Sequence, residues 1–489
     1  MKVREKFLYE IWKEKKFIKS LSTADSQSIE IIDPGLQNKE LAGPDFHNAR
    51  IRIGNITYLG DVEIDTSHSN WKTHGHYIDN KYNKVILHVV LSNEKNKNYV
   101  FTKEGRKVQS ICLVDFLDEN FQNSLRNAIR NERNDRTFSM PCSESNSLVT
   151  EKEKLDILFD LGTMRFKNKT KKIFDRLKEM VYLKKMNIRE PIVRYDFGDD
   201  FFNKKFSPND FDDEVIWQQL VYEMIFEALG YSKNKDIMLK LAKAVNIEFL
   251  KNYSNKENFD KIIECSLFNV SGLIPSEFSF NDEATSEYVR GLVETWDRVK
   301  ENYDGPTFSP ESWHFFKLRP QNFPTVRISG GSRLLQRIIE DELIKKFINL
   351  THSESKTKKV TNYLRNIIIV KGGDYWKNHF TFDKIAKEEV KYFIGLSRAD
   401  EIIVNVILPV LSLYFEIFSE PDAARSIKNL YINYTQKSSN QLVNKVCETL
   451  NLTEMRKKSV YYQGMIELFR SYCVKEKCLE CKIGEKVFN

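Results

Sequence analysis

The chain has 489 residues, 41% of them hydrophobic and 12% aromatic, which excludes intrinsic disorder and supplies more apolar material than one ordinary core holds. Lys and Arg total 76 against 69 Asp and Glu, and the net charge of +7 is compatible with a nucleic-acid partner without requiring one. Seven cysteines, an odd number over this length, exclude a disulfide framework.

The first ten residues, Met1 to Glu10, hold no apolar segment of the secretory kind. The most apolar stretch, 402–415, is interrupted by Asn405, Pro409 and Ser412 and is too short to span a bilayer, so the expected location is the cytoplasm, with no membrane partner. Residues 3–19 carry Phe7, Leu8, Ile11, Trp12 and Ile18 at helical spacing. Short β-like runs follow at 29–32, 49–53, 57–65, 85–91 and 99–102, with Pro34-Gly35 and Gly54-Asn55 as turns. Residues 1–117 therefore read as a small mixed α/β domain. Helical periodicity dominates afterwards, at 118–136, 150–186, 213–229, 235–252, 286–303, 332–350, 399–417 and 439–450. Residues 306–324 hold four prolines and read as a long ordered connection, and Lys356 to Lys359 as an exposed basic loop. The expected fold class is α/β plus all-α, with helical regions at 118–330 and 331–489 after the first domain.

Five of the eight histidines, at 47, 68, 74, 76 and 88, fall in one window with Gly43-Pro44-Asp45 and Gly60-Asp61-Val62-Glu63-Ile64-Asp65. On a strand, Asp61, Glu63 and Asp65 leave one face, while Val62 and Ile64 point into a core. Three carboxylates on one face repel unless a cation neutralises them, and hard divalent ions such as Mg²⁺ or Mn²⁺ take carboxylate oxygens. The alternative is that Asp45 caps a turn, that Glu63 and Asp65 lie on a solvated face, and that the histidines serve local hydrogen bonds. His74-Gly75-His76 has the wrong spacing for a helical metal pair but places two imidazoles on one side of an extended segment. His88, inside an apolar strand, reads as a satisfied core histidine.

Near the far end, Cys473, Cys478 and Cys481 form a C-x4-C-x2-C run. Thiolates at this spacing suit Zn²⁺ or an iron–sulfur cluster, and Cys142, in a Pro-containing loop, is the candidate fourth ligand. The alternative is a set of reduced, partly buried thiols. Cys112, Cys265 and Cys447 read as core residues. Basic stripes with phosphate-binding character run through Arg126, Arg130 and Arg133 and through 165–185, which includes Lys171 and Lys172; solvated helix faces are the alternative. In Phe315 to Arg327, two prolines set Arg319 and Arg327 either to clamp an anion or to brace helices internally.

Two resemblances arise from these segments. Gly-Pro-Asp before one strand, with a carboxylate pair on the next 18 residues after Asp45, resembles the PD-(D/E)xK phosphodiesterases. It implies a restriction-endonuclease-like domain in which Asp45, Glu63 and Asp65 hold the metal. The motif's usual Lys is missing, since position 65 is Asp; Lys72, Lys84, His74 and His76 are the candidates to replace it. The cysteine layout also resembles that of some exonuclease-type members, with one cysteine near the nuclease core and three at the far end. Taken together, Gly43 to Ala49, Gly60 to Ile64, Trp71-x-x-His74-Gly75-His76, Tyr82 to Val90, Leu318 to Arg327 and the cysteine run resemble the bacterial family called domain of unknown function 2851. That family has Glu-Ile-His where this chain has Glu63-Ile64-Asp65, and the resemblance implies no established activity. The resulting expectation is a metal-dependent, nuclease-like phosphodiesterase. The competing expectation is a non-catalytic nucleic-acid- or protein-binding scaffold.

Overall fold

A computed structural model describes residues 9, 12–13, 20–23, 25–38, 43–92, 97–116, 140, 142, 146–188, 197–275, 280, 282–316, 318–353, 357–382, 384–437, 440–452, 457–475 and 477–488. Contacts divide the chain into two units, Met1–Phe138 and Ser139–Asn489.

The first unit is built on a mixed sheet of β1 (Leu21–Ser22), β2 (Ser28–Asp33), β3 (Leu36–Gln37), β4 (Phe46–Ile53), β5 (Ile56–Ser67), β6 (Val85–Ser92), β7 (Tyr99–Phe101) and β8 (Lys107–Cys112), in the order β1-β2-β4-β5-β6-β8-β7 with β3 paired to β4. In β4, Ile51 and Ile53 are buried while Arg50 and Arg52 are exposed, the alternation a half-covered strand requires. Gly54, with φ of 59°, and Asn55 close a tight hairpin in which Ile53 pairs with Ile56. β6 is parallel to both of its neighbours and buried on both faces, and its unbroken Val-Ile-Leu-His-Val-Val-Leu run has the composition such a strand needs. A parallel pair demands a crossover, and residues 68–84 supply it as the helix Asn70–Thr73 and the 3-10 turns His76–Ile78 and Asn80–Tyr82. One core joins Tyr9 and Trp12 to Phe46, Val62, Ile64 and Leu87. A second small core joins Trp71 and Tyr82 to Val85, Val100 and Val108. Strand β8 was not expected from the sequence, because Lys107, Gln109 and Ser110 dilute its apolar pattern.

The second unit is mostly helical. Its longest helix, Glu151–Lys185, opens with a capping box between Thr150 and Glu153. The main core draws on residues from Phe166 to Val460, and a second core joins Leu158 and Leu161 to Val446, Leu450 and Met465. The boundary expected at 330/331 falls inside the helix Pro324–Ile339, whose Val326, Leu334 and Leu335 belong to that core, so this stretch packs as one unit. The expected helix 235–252 is two, Lys235–Ala244 and Ile247–Lys251, because the Asn246 side chain caps the amide of Phe249. The expected 332–350 helix is also two, Pro324–Ile339 and Leu343–Ser353, separated at Glu342 with φ of 47°. The 399–417 stretch contains a π-helical turn, Ile403–Ile407, just before Pro409, whose missing N–H interrupts the helical ladder. Lys358 and Lys359 lie in the first turn of the helix Thr357–Ile368 rather than in a loop, while Lys356 is outside the described residues. The expected helix 118–136, with Arg126, Arg130 and Arg133, also lies outside them, as does most of 3–19. Among the described residues, no helix is long and apolar enough to cross a membrane.

Candidate metal centre

Strand β5 carries Asp61, Glu63 and Asp65 on the face opposite Val62 and Ile64. That face is covered: the three residues are 6%, 5% and 2% exposed. The crossover 68–84 lies over it, anchored by Trp71, whose indole N–H donates to Phe101 O at 2.9 Å. Gly75 takes a left-handed φ of 80°, a turn that glycine adopts without strain, between His74 and His76. The turn sends both imidazoles back to β5. His74 Nδ1 lies 3.3 Å from Asp65 Oδ1. His76 Nε2 lies 3.0 Å from Glu63 Oε1 and 3.8 Å from Asp65 Oδ2. From β6, the register opposite Glu63 places His88 with Nε2 at 3.3 Å from Asp65 Oδ2 and Nδ1 at 3.0 Å from Ser110 Oγ. Tyr82 packs on the His76 ring with centroids 4.0 Å apart.

Asp65, His74 and His76 each bring a ligand atom within 4.8 Å of the other two. Glu63 stands beside this trio. Asp45 stands next to Glu63, but its carboxylate is turned to the protein: Oδ2 accepts from the Ile64 amide at 2.9 Å and Oδ1 from the Tyr9 hydroxyl, while the Asp45 amide donates to Glu63 Oε2 at 3.2 Å. Asp61 accepts from the Asn48 amide at 3.1 Å and lies 3.3 Å from His47 Nδ1. Lys72 is exposed on the crossover helix. The convergent set is thus one carboxylate and two imidazoles with a second carboxylate alongside. Sequence reasoning did not draw in Tyr9 or Ser110, because neither shows a motif.

Burial alone raises the Asp65 carboxyl pKa, but the hydrogen bonds from His74 and His88 and the nearby imidazoles outweigh it and hold the group well below the usual carboxylate range. Burial, then the Glu63 and Asp45 charges, pushes the Tyr82 phenol far up. Burial, then His88, lowers His68. The Asp65 carboxylate is thereby held in its charged form.

The family model described as "Protein of unknown function (DUF2851)" matches residues 5–189 and 209–441, which includes the whole cluster. The chain belongs to this family. No curated protein and no solved structure matches it. In this DUF2851 protein the matched residues stop short of Cys473, Cys478 and Cys481.

The second unit nevertheless brings those three thiols and Cys142 around one cavity. Burial, then Cys481, Cys142 and Cys478, pushes the Cys473 thiol up to about 12, and burial raises Cys142 as well. Cys265 and Cys447 are buried in cores, and Cys112 is half-buried in the first unit.

The basic candidates are placed unevenly. Lys171 and Lys172 are exposed, and Lys172 lies 3.2 Å from Glu227. Arg319 is exposed at the cap of a 3-10 turn. Arg327 is buried: one terminal nitrogen donates to Phe393 O, the other to the Tyr231 hydroxyl at 2.8 Å and to Asn322 Oδ1. Its guanidinium braces the Pro324–Ile339 helix. An open groove that sequence reasoning did not identify is lined by Gly43, Pro44, His47, Lys81 and Lys84, with Glu104 as its one carboxylate among the described residues, beside the carboxylate strand.

Proposed function

We propose that this DUF2851 protein is a metal-dependent phosphodiesterase acting on nucleic acid, with Asp65, His74 and His76 as metal ligands and Glu63 beside them. The observation that carries the reading is the convergence of buried Asp65, half-buried His74 and buried His76, whose ligand atoms lie within 4.8 Å of one another. Two imidazoles with carboxylates suit Mn²⁺ or another transition ion better than Mg²⁺, which prefers an all-oxygen shell. A bound ion would acidify a water and neutralise phosphate charge. Glu63, beside the trio, would then take the proton of that water. Lys81 and Lys84 line the groove where a phosphate backbone would lie. The contact between Asp45, at the head of one strand, and Glu63 on the neighbouring strand supports the PD-(D/E)xK-like, restriction-endonuclease-like reading of the sheet. The absent Lys counts against it.

One observation favours a second reading, a non-catalytic scaffold. Asp65 pairs with His74 and His88, and His88 with Ser110, without an ion. The two readings separate with the full chain incubated with Mn²⁺, Zn²⁺ or Mg²⁺ and single- or double-stranded DNA and RNA. We expect Mn²⁺-dependent cleavage that falls by about 100-fold or more in Asp65→Asn and His74→Ala, with Mn²⁺ affinity falling at least about tenfold. Substrates left intact with every metal, together with nucleic-acid binding that survives Asp65→Asn, would leave the scaffold standing.

A further inference from the structure

The four cysteines of the second unit span 339 residues, from Cys142 to Cys481, yet they line the same small cavity. The other walls are Met140, Leu468, Tyr472, Ile483 and Gly484. Among the described residues no carboxylate, imidazole or ammonium lines it, so its charged-ligand chemistry is that of the four thiols. All seven cysteines are free, so this convergence is not a pair of disulfides.

The local backbone is arranged around these thiols. The helix Ser459–Leu468 runs into a π-helical turn, Phe469–Cys473, that ends on the first thiol of the run. The chain then reverses: the Lys477 amide donates to Tyr472 O at 3.0 Å, and the Cys481 amide to Cys478 O at 3.2 Å. Gly484 closes the arrangement. A Cβ there would meet Cys478 O at 2.0 Å, so only glycine lets the segment after Cys481 pack down on the segment holding Cys478. A buried apolar pocket needs neither a reversal of this tightness nor four sulfurs.

We propose that Cys142, Cys473, Cys478 and Cys481 ligate one metal centre through four thiolates, tying the end of the chain to the segment around residue 142. Soft thiolates select zinc or iron–sulfur clusters, whereas the imidazoles and carboxylates of the first unit suit Mn²⁺ or another transition ion, so the two donor sets differ in chemistry. A single tetrahedral zinc with Zn–S of about 2.3 Å draws its sulfurs to within roughly 3.8 Å of each other. The C-x4-C-x2-C run with a distant fourth cysteine favours an iron–sulfur cluster over a single zinc. Binding releases the thiol protons to solvent, and the cavity's apolar walls then shield the centre from water.

The test uses the full chain, expressed with iron and sulfide available and purified without oxygen, then assayed for iron, zinc, acid-labile sulfide and visible absorption. Iron with sulfide in comparable amounts supports a cluster. One equivalent of zinc without sulfide supports the same four-thiolate site with a single ion. Cys142→Ser and Cys481→Ser should each lower the bound metal more than tenfold, while Cys112→Ser and Cys265→Ser should retain it. A second readout does not depend on variants folding. In the native protein the four thiols should resist alkylation, scored by mass spectrometry, until acid or chelator strips the metal. Less than a tenth of an equivalent of any metal, with these thiols alkylated as fast as in the unfolded chain, would overturn the proposal. Full metal content in Cys142→Ser would overturn the assignment of the fourth ligand.

Discussion

Lys169 lies on the long helix Glu151–Lys185, its ammonium donating to Asn405 Oδ1 inside the π-helical turn. Burial, then the charge of Arg165, lowers its pKa to about 7 from the ordinary 10.5. A depressed lysine pKa means the unfolded chain holds a proton that the native state has released. Between pH 7 and 10.5 stability therefore rises with pH, and below 7, where both states are protonated, the burial cost is carried in full. Lys169→Met should remove that rise. Denaturant melts at pH 7 and 9.5 should show wild type gaining on the order of 2 kcal/mol relative to the variant, and equal shifts in both proteins would refute the assignment. Nothing in the sequence singled this residue out, since it is one basic residue in a basic stripe. At the carboxylate–imidazole cluster the sequence did mark the carboxylates and histidines, because scarce histidines and strand alternation are local signals. It could not show that Asp45 spends its carboxylate on the Ile64 amide and Tyr9, which depends on how distant segments meet.

The helices Glu151–Lys185 and Ser459–Leu468 touch backbone to backbone. A Cβ on Gly162 would meet Val460 O at 2.0 Å, and one on Gly464 would meet Leu158 O at 2.1 Å. Glycine in a helix interior costs about 1 kcal/mol against alanine, so two facing glycines signal packing. Gly464→Ala should push the helices apart and destabilise by about 2–4 kcal/mol, seen as a lower midpoint of thermal or urea unfolding. Gly291, on the exposed side of the helix Glu283–Asp297, has open space where a Cβ would go. Gly291→Ala should instead stabilise by about 0.5–1 kcal/mol. A Gly464→Ala protein as stable as wild type would show that this contact yields. The contrast marks the limit of legibility for elements. Periodicity located 151–185 and 214–229 to within a residue or two of their ends, because caps at Thr150 and Asp213 are local. It did not reveal Phe259–Ser271 or Ser459–Leu468, and it merged helices whose breaks depend on a single residue such as Asn246 or Glu342.

Across the whole molecule the +7 charge is not evenly available to a partner. Much of the 165–185 stripe is neutralised within its own unit: Arg165 pairs with Glu467 at 2.9 Å, Arg176 with Glu223 at 2.8 Å, Lys184 with Asp213 and Lys185 with Asp210. A phosphate backbone approaching that helix would have to compete with these carboxylates. Lys81 and Lys84, by contrast, edge the groove next to the carboxylate strand. Two double variants compare the surfaces at equal net charge, because removing two lysines leaves 7 − 2 = +5 in each case. On the proposed function, Lys81→Ala with Lys84→Ala should weaken single-stranded DNA binding about tenfold at moderate salt and flatten its salt dependence, since two proposed phosphate contacts and their counterion release would be lost. Lys171→Ala with Lys172→Ala should change affinity by less than about twofold, because that face contributes only diffuse attraction. The reverse ranking, read by fluorescence anisotropy across a salt series, would move the nucleic-acid surface to the helical unit and separate it from the Asp65 cluster.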